Sequence, residues 1–294
     1  MAQSYQYTDA DIMRSAKSGE PIRFKTLYVY PLTVGDYELL WSCESALTIR
    51  MATLPVAYAS KSYPEALFAI AIDGKDVVVN GEVVARPNDW LRFLMLLCAS
   101  FRIPIQQMRS CFSFYTDKSD KRRLSTISVR QFMENEESFA SLDARELVAL
   151  REIIAKLNGR TLPDESENAE LSQAEADIRS QSGTKLNMKI DSLLASVARD
   201  QRVRIKDLFS WTIYEFELIR SAIERERRFM VCGIGENSGM VKFPKGNPFP
   251  SIFYDRPSEI SAVISAADLA TRVSGAVEYT DKLPDNLPII TPNR

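Results

Sequence analysis

The amino-acid sequence predicts a mainly α fold with a minor antiparallel β part, arranged as an α+β N-terminal domain followed by a helical C-terminal domain. Three observations carry this expectation. Two stretches, around residues 147–157 and 190–198, repeat apolar residues at i, i+3, i+4 and i+7, which places them on one side of a helix. Asn80-Gly81 stands between two valine-rich runs, the preferred composition of a type I′ hairpin turn, because both central residues must accept positive φ. Apolar residues make up 45% of the 294 positions and charged residues 26%, the mixture of a globular chain rather than a disordered one.

Taken in order, residues 1–20 are polar and read as an N-terminal arm with a frayed helical turn over 10–17. Residues 23–30 hold β-branched and aromatic side chains, stop at Pro31 and read as one strand. Thr33 is placed to cap a helix with Tyr37, Leu40 and Trp41 on one face. A second helical piece over 46–53 ends before Pro55, and a third after Pro64 carries Ala66, Leu67, Ile70 and Ala71. The hairpin occupies 77–84. An apolar helix over 88–101 follows, capped by Asn88 or Asp89, and two short strands over 112–115 and 122–129 flank the charged loop 117–123. These elements make up an α+β domain over 21–130.

From residue 131 the pattern turns helical, and 131–250 reads as the second domain. Asp143 and Glu146 have capping-box spacing, after which Leu147, Leu150, Ile153, Ile154 and Leu157 form a stripe that Asn158-Gly159 ends. Residues 160–186 are acidic and serine-rich, the composition of a linker, with a solvated helix over 168–179. Ile190, Leu193, Leu194, Val197 and Ala198 mark the next helix. A longer one over 206–228 carries Leu208, Trp211, Phe216, Leu218, Ile219 and Ile223 and closes on basic residues, which suit the negative end of a helix dipole. Beyond Met230 the chain is rich in glycine and proline, and 251–294 reads as an extended tail.

Composition narrows the chemistry. The chain contains no histidine, which removes the commonest general base and metal ligand and with it every Ser-His-Asp, Cys-His or His-ligated metal site. Cys43, Cys98, Cys111 and Cys232 are scattered with no C-x-x-C pair, and the apolar neighbours of Cys98, Cys111 and Cys232 mark them as small buried hydrophobes. The formal charge of −2 supplies no global field toward nucleic acid or membrane. No secretory signal is visible at the N-terminus, and the longest apolar run, residues 90–99, is well short of the ~20 that a span requires. Cytoplasmic residence is the expectation.

Three constellations bear weighing. Gly233, Gly235 and Gly239 have the look of a phosphate loop but lack the Gly-Lys-Ser/Thr ending and follow a helix, so a plain turn is expected there. Asp191, Asp200 and Asp207 lack the dense spacing of a cation loop and read as surface charge or helix caps. Arg199, Arg202, Arg204 and Lys206 form a basic corner between two helices. One reading is a helix-turn-helix over 187–228 that places its second helix in a DNA groove. That helix opens with Leu208, Phe209, Trp211 and Ile213, which do not read base edges, so a corner on a protein-binding surface is the favoured reading. The apolar residues of this helix cover more than one side, which gives the expected partner-binding set Arg202, Arg204, Trp211, Tyr214, Phe216 and Leu218.

Residues 185–198, together with the stretch from Asp207 through Trp211-Thr-Ile-Tyr-Glu-Phe216 to the Arg-rich end, resemble small helical tail-assembly proteins of tailed bacteriophages. Tyr30-Pro-Leu-Thr-Val-Gly-Asp-Tyr37 and Leu47-Thr-Ile-Arg50 through Pro55 are similar to larger proteins encoded near the tape-measure protein. The resemblance covers about half of the chain, which is longer than the small chaperones and adds the 77–84 hairpin. It implies a non-enzymatic tail morphogenesis factor that binds tape-measure and tail-tube proteins in the bacterial cytoplasm, with a place in the virion and a homo-oligomer both allowed. It implies no catalytic, cofactor-binding or metal-binding residue, and no nucleic-acid or membrane partner. The alternative is a phage DNA-binding or host-regulatory protein using 187–228. An enzyme restricted to Mg²⁺-carboxylate chemistry ranks third.

Overall fold

The computed structural model describes residues 7–79, 81–133, 136–165, 189–239 and 251. It is mainly helical with small antiparallel sheets, and all of these residues fall in one compact unit. The solvated helix expected at 168–179 and nearly all of the 251–294 tail lie outside the described residues, as does most of the acidic linker.

The chain opens with helix α1 (Asp9–Ser18), a full helix rather than a frayed turn. Thr8 and Asp11 form a capping box at its start, and Gly19 closes it in the left-handed region. The stretch expected to be one strand is a hairpin, β1 (Ile22–Phe24) and β2 (Leu27–Val29), which turns at Lys25-Thr26 with Lys25 at φ 56°. Folding back buries Ile22, Phe24, Leu27 and Val29 together, which a single extended strand of alternating sides would not do.

Thr33 and Asp36 cap a single 3₁₀ turn that leads into α2 (Tyr37–Thr48). Tyr37 and Leu40 face the core as expected, but Trp41 is 58% exposed, because the buried side runs through Cys43, Ala46 and Leu47 instead. The second helical piece is likewise divided: α2 ends at Thr48, and only Met51–Thr53 forms a 3₁₀ turn. After α3 (Val56–Ala59), α4 (Tyr63–Asp73) starts at a Ser62–Glu65 capping box with Pro64 in its first turn. The valine runs form the hairpin β3 (Val77–Val79) and β4 (Glu82–Ala85), with Gly81 at φ 85°. Helix α5 (Asn88–Ser100) begins without a side-chain cap on its N-cap residue. Asp89, in its first turn, instead reaches back to accept from the Arg86 amide at 2.7 Å.

Beyond α6 (Met108–Cys111), strands β5 (Phe112–Thr116), β6 (Leu124–Phe132) and β7 (Glu137–Asp143) form one antiparallel sheet in the order β5-β6-β7. β7 was missed, because Glu136-Glu-Ser-Phe-Ala reads as polar helix-former sequence. Its pairing with β6, from Thr126–Asp143 through Phe132–Glu137, runs across the domain boundary expected at residue 131. Helix α7 (Ala144–Leu157) follows directly, with the expected Asp143–Glu146 box, the expected buried stripe and Gly159 in the left-handed region. It packs on α1, α4 and both β6 and β7, so the sheet and the helices share one core.

Candidate partner-binding face

Three helices complete the described chain: α8 (Ile190–Gln201), α9 (Ile205–Leu208) and α10 (Ile213–Asn237). α8 lies against α10 through Leu194, Val197 and Ala198, with Ile190 and Leu193 at the margin, as its spacing predicts. Arg202 ends α8 in the left-handed region at φ 56° and turns the chain. Arg204 then pairs with Asp207 at 3.1 Å and its amide donates to the same carboxylate, so the two cap α9 jointly.

The long helix expected over 206–228 is interrupted. Phe209–Thr212 break it, and Thr212 starts a new helix by accepting from the Glu215 amide at 3.1 Å. Tertiary bonds hold the break in place: the Val34 amide donates to the Trp211 carbonyl, the Ile213 amide to the Leu32 carbonyl (both 2.9 Å), and the Thr212 hydroxyl to the Ala16 carbonyl at 2.6 Å. The Ile213 amide and the Trp211 carbonyl, which a continuous helix would have paired internally, are instead paired with the N-terminal part of the chain.

Helix α10 also extends past the expected end at Arg228. Gly233 and Gly235, expected in a turn, lie inside it, and Gly239 follows its end at φ 66°. Each glycine within a helix costs about 1 kcal/mol relative to alanine, but the apolar stripe Phe216, Ile219, Ile223, Met230, Ile234 continues at helical spacing across both. That stripe was the signal available in the sequence.

The six expected partner residues separate into three groups. Arg202 and Arg204 are exposed on the corner. Trp211 and Tyr214 are half-buried, the Tyr214 ring lying where a Cβ on Gly159 would meet it at 3.2 Å, and Leu218, one turn beyond Tyr214, is 47% exposed. Phe216 is a correction: it is fully buried, edge-on to the Tyr37 ring at 6.1 Å, and serves the core instead of a partner. Beside it the Tyr37 hydroxyl donates to Glu217, which also accepts from Arg220. Burial and that carboxylate push the Tyr37 pKa up to about 12.

Met230, Val231 and Ile234 were not foreseen as surface residues of this helix. They are 47%, 69% and 69% exposed. A groove between α8 and α10 is lined by Leu193, Val197 and Ile223 and by Arg227, which pairs with Asp200 at 3.6 Å.

The remaining candidates disperse. Asp200 and Asp207 each pair with an arginine and Asp191 sits in the first turn of α8, so the three carboxylates do not converge. Among the described residues no three Cys, Asp or Glu side chains are grouped to hold a metal ion. Cys43, Cys98 and Cys111 are buried, and burial, with Cys111 beside it, raises the Cys98 pKa to about 12. Cys232, expected in the core, is half-exposed on α10, beyond the part of the helix that the described residues cover. No described helix is long and apolar enough to cross a membrane. The chain matches no protein-family model, no curated protein and no solved structure.

Proposed function

We propose that the chain is a non-enzymatic morphogenesis factor of a phage tail, which binds tape-measure or tail-tube protein during assembly through α10 and the corner that precedes it. The observation that carries this reading is the exposed apolar side chains on the second half of α10. At 25 residues the helix is about 37 Å long, and past Ile223 its apolar stripe continues as exposed Met230, Val231 and Ile234. Apolar side chains clustered in the open mark interaction surfaces, and an assembly factor must cover apolar segments of partners that are not yet packed. The resemblance of residues 185–198 and 207–226 to tail-assembly proteins supplies the class of partner.

The DNA-binding alternative fits less well. The start of α10 would have to enter a groove, yet Ile213 and Phe216 in its first turns are fully buried and Arg204 is engaged by Asp207.

Charge placed among these exposed side chains tests the reading. The double variant Met230→Lys/Ile234→Lys alters residues outside the core, so its melting temperature should match that of the parent while co-purification with co-expressed tape-measure or tail-tube protein is lost. Trp211→Ala and Tyr214→Ala probe the corner in the same assay. Undiminished capture by all three variants, or no capture by the parent chain, would refute the proposal. A salt-sensitive, submicromolar duplex shift abolished by Arg202→Ala with Arg204→Ala would favour nucleic acid instead.

A further inference from the structure

The two edges of the sheet β5-β6-β7 are treated differently. Along β7 the turn between β1 and β2 covers the edge: Lys25 Nζ donates to the Ser141 carbonyl at 2.7 Å and Thr26 Oγ1 to the Phe139 carbonyl at 2.6 Å. Lys25 is itself held there by Glu146. Along β5 nothing comparable exists among the described residues. Its backbone pairs with β6 on one side only, and Ser113, Phe114, Tyr115 and Thr116 are all exposed. An open edge is a template for another strand, and folds commonly block it.

The core also reaches the surface at this edge. Phe114 is paired with Ile127, which is fully buried, so the two share the inner side of the sheet. Phe114 lies at the rim, 41% exposed, edge-on to Trp90 at 5.9 Å, and Trp90 in turn meets Phe68 at 5.4 Å. A further strand alongside β5 would lay a side chain over Phe114 and complete the layer.

Charge selects the occupant. The loop after β5 brings Lys118, Lys121, Arg122 and Arg123 to one end of the edge, and Arg109 is exposed at the other. The acids of that loop are occupied locally: Asp117 accepts from the Ser119 amide and hydroxyl, and Asp120 from the Arg122 amide. Arg122 and Arg123 pair with Asp73 and Glu65, which leaves Lys118 and Lys121 without an acidic partner among the described residues. A second copy of β5, set antiparallel, would bring the Arg109 end of one chain against the 117–123 loop of the other, like charge against like. An acidic strand meets attraction at both ends.

We propose that the open edge of β5 docks an extended acidic segment of another protein, which joins the sheet as a fourth strand. The proposal is independent of the reading of α10. Regular pairing along β5 runs only from Phe112 to Tyr115 before the register shifts, so the contact gains few ladder bonds and suits transient capture.

The probe is a synthetic ten-residue peptide of alternating valine and glutamate with blocked ends. It should bind with a Kd of roughly 10–100 µM and slow hydrogen exchange of those amides within residues 112–116 that face away from β6. Lys118→Glu with Lys121→Glu should leave the melting temperature unchanged and weaken binding about tenfold. A version N-methylated at alternate residues, which cannot complete the ladder, should not bind. Any of these results would overturn the proposal: no saturable binding up to about 1 mM; equal binding of the N-methylated peptide or of a valine–lysine peptide; a dimer in sedimentation that Phe114→Lys disperses; or slow exchange, before any peptide is added, of the β5 amides that face away from β6, since the edge would then already be occupied.

Discussion

Replacing Arg151 with methionine sets two large effects against each other, and the contacts of the guanidinium decide the sign. Arg151 lies on α7, 6% exposed, and its hydrogen bonds go to carbonyls rather than to a carboxylate. Nε and Nη2 donate to the Leu47 oxygen at 2.9 and 2.6 Å, and Nη2 donates to the Ile49 oxygen at 2.9 Å. The charge is thus set against the negative end of α2 and lies 3.7 Å over the Tyr63 ring. Methionine would strand two buried carbonyls at about 1–3 kcal/mol each and forfeit a cation–π contact worth about 1–2 kcal/mol. It would also relieve the desolvation of a buried cation, which can amount to several kcal/mol. That desolvation is what pulls the Arg151 pKa down, with Tyr63, Glu165 and Glu152 opposing it. Because the Leu47 and Ile49 acceptors are fixed main-chain oxygens at good distance, the bonds should win, with a net loss of about 2–4 kcal/mol. Urea unfolding at neutral pH, with parent and variant compared at equal slope, measures the difference. If Arg151→Met is as stable as the parent or more so, desolvation dominates and the assignment of this residue as a clamp on the end of α2 is wrong.

Thr212→Ala should lower stability by about 2 kcal/mol, because it deletes the cap of α10 and strands the Ala16 carbonyl, whereas Thr212→Ser should restore most of the loss. Calorimetric melting of both variants provides the comparison. For Tyr37 the sign follows from its raised pKa: the folded state favours the neutral phenol, so the stabilisation is present below pH 10 and is lost as pH rises from 10 toward 12. Tyr37→Phe should flatten that alkaline decline in a series of unfolding curves from pH 8 to 11, and an unchanged slope would remove Tyr37 as its source.

The parts of the fold legible from sequence are those where a local signal and the tertiary environment agree. The Asp143–Glu146 box, the stripe of α7 and the Asn80-Gly81 hairpin are of this kind, since turn chemistry or helical spacing alone specifies them. β7 was illegible because strand pairing with β6 outweighs the helix-forming composition of residues 135–141, and propensity yields readily to such pairing. The break at 209–212 was hidden for a related reason. Phe209-Ser-Trp-Thr contains no glycine or proline, and the chain leaves the helix there only because Leu32 and Val34 offer backbone partners far away in sequence. In the candidate face the opposite error occurred. Gly233 and Gly235 signal a turn locally, yet the apolar stripe around them holds the helix, so Met230, Val231 and Ile234 lie on α10 and Phe216 lies in the core.

The bonds that tie residues 32–34 and Ala16 to the break before α10 have a bearing on how the chain is made. Thr212 and its partner Ala16 stand 196 positions apart. A ribosome adding about 5–20 residues per second therefore releases the first helix some ten to forty seconds before the group that fastens it. Once made, Leu32, Val34 and Tyr37 wait for Ile213 and Phe216 until the end of that interval. Long-range closure of this kind is slow and leaves apolar surface open during synthesis. A protein proposed to shield the unpacked segments of others would thus itself pass through an unpacked stage, ended only by the arrival of its own last described helix.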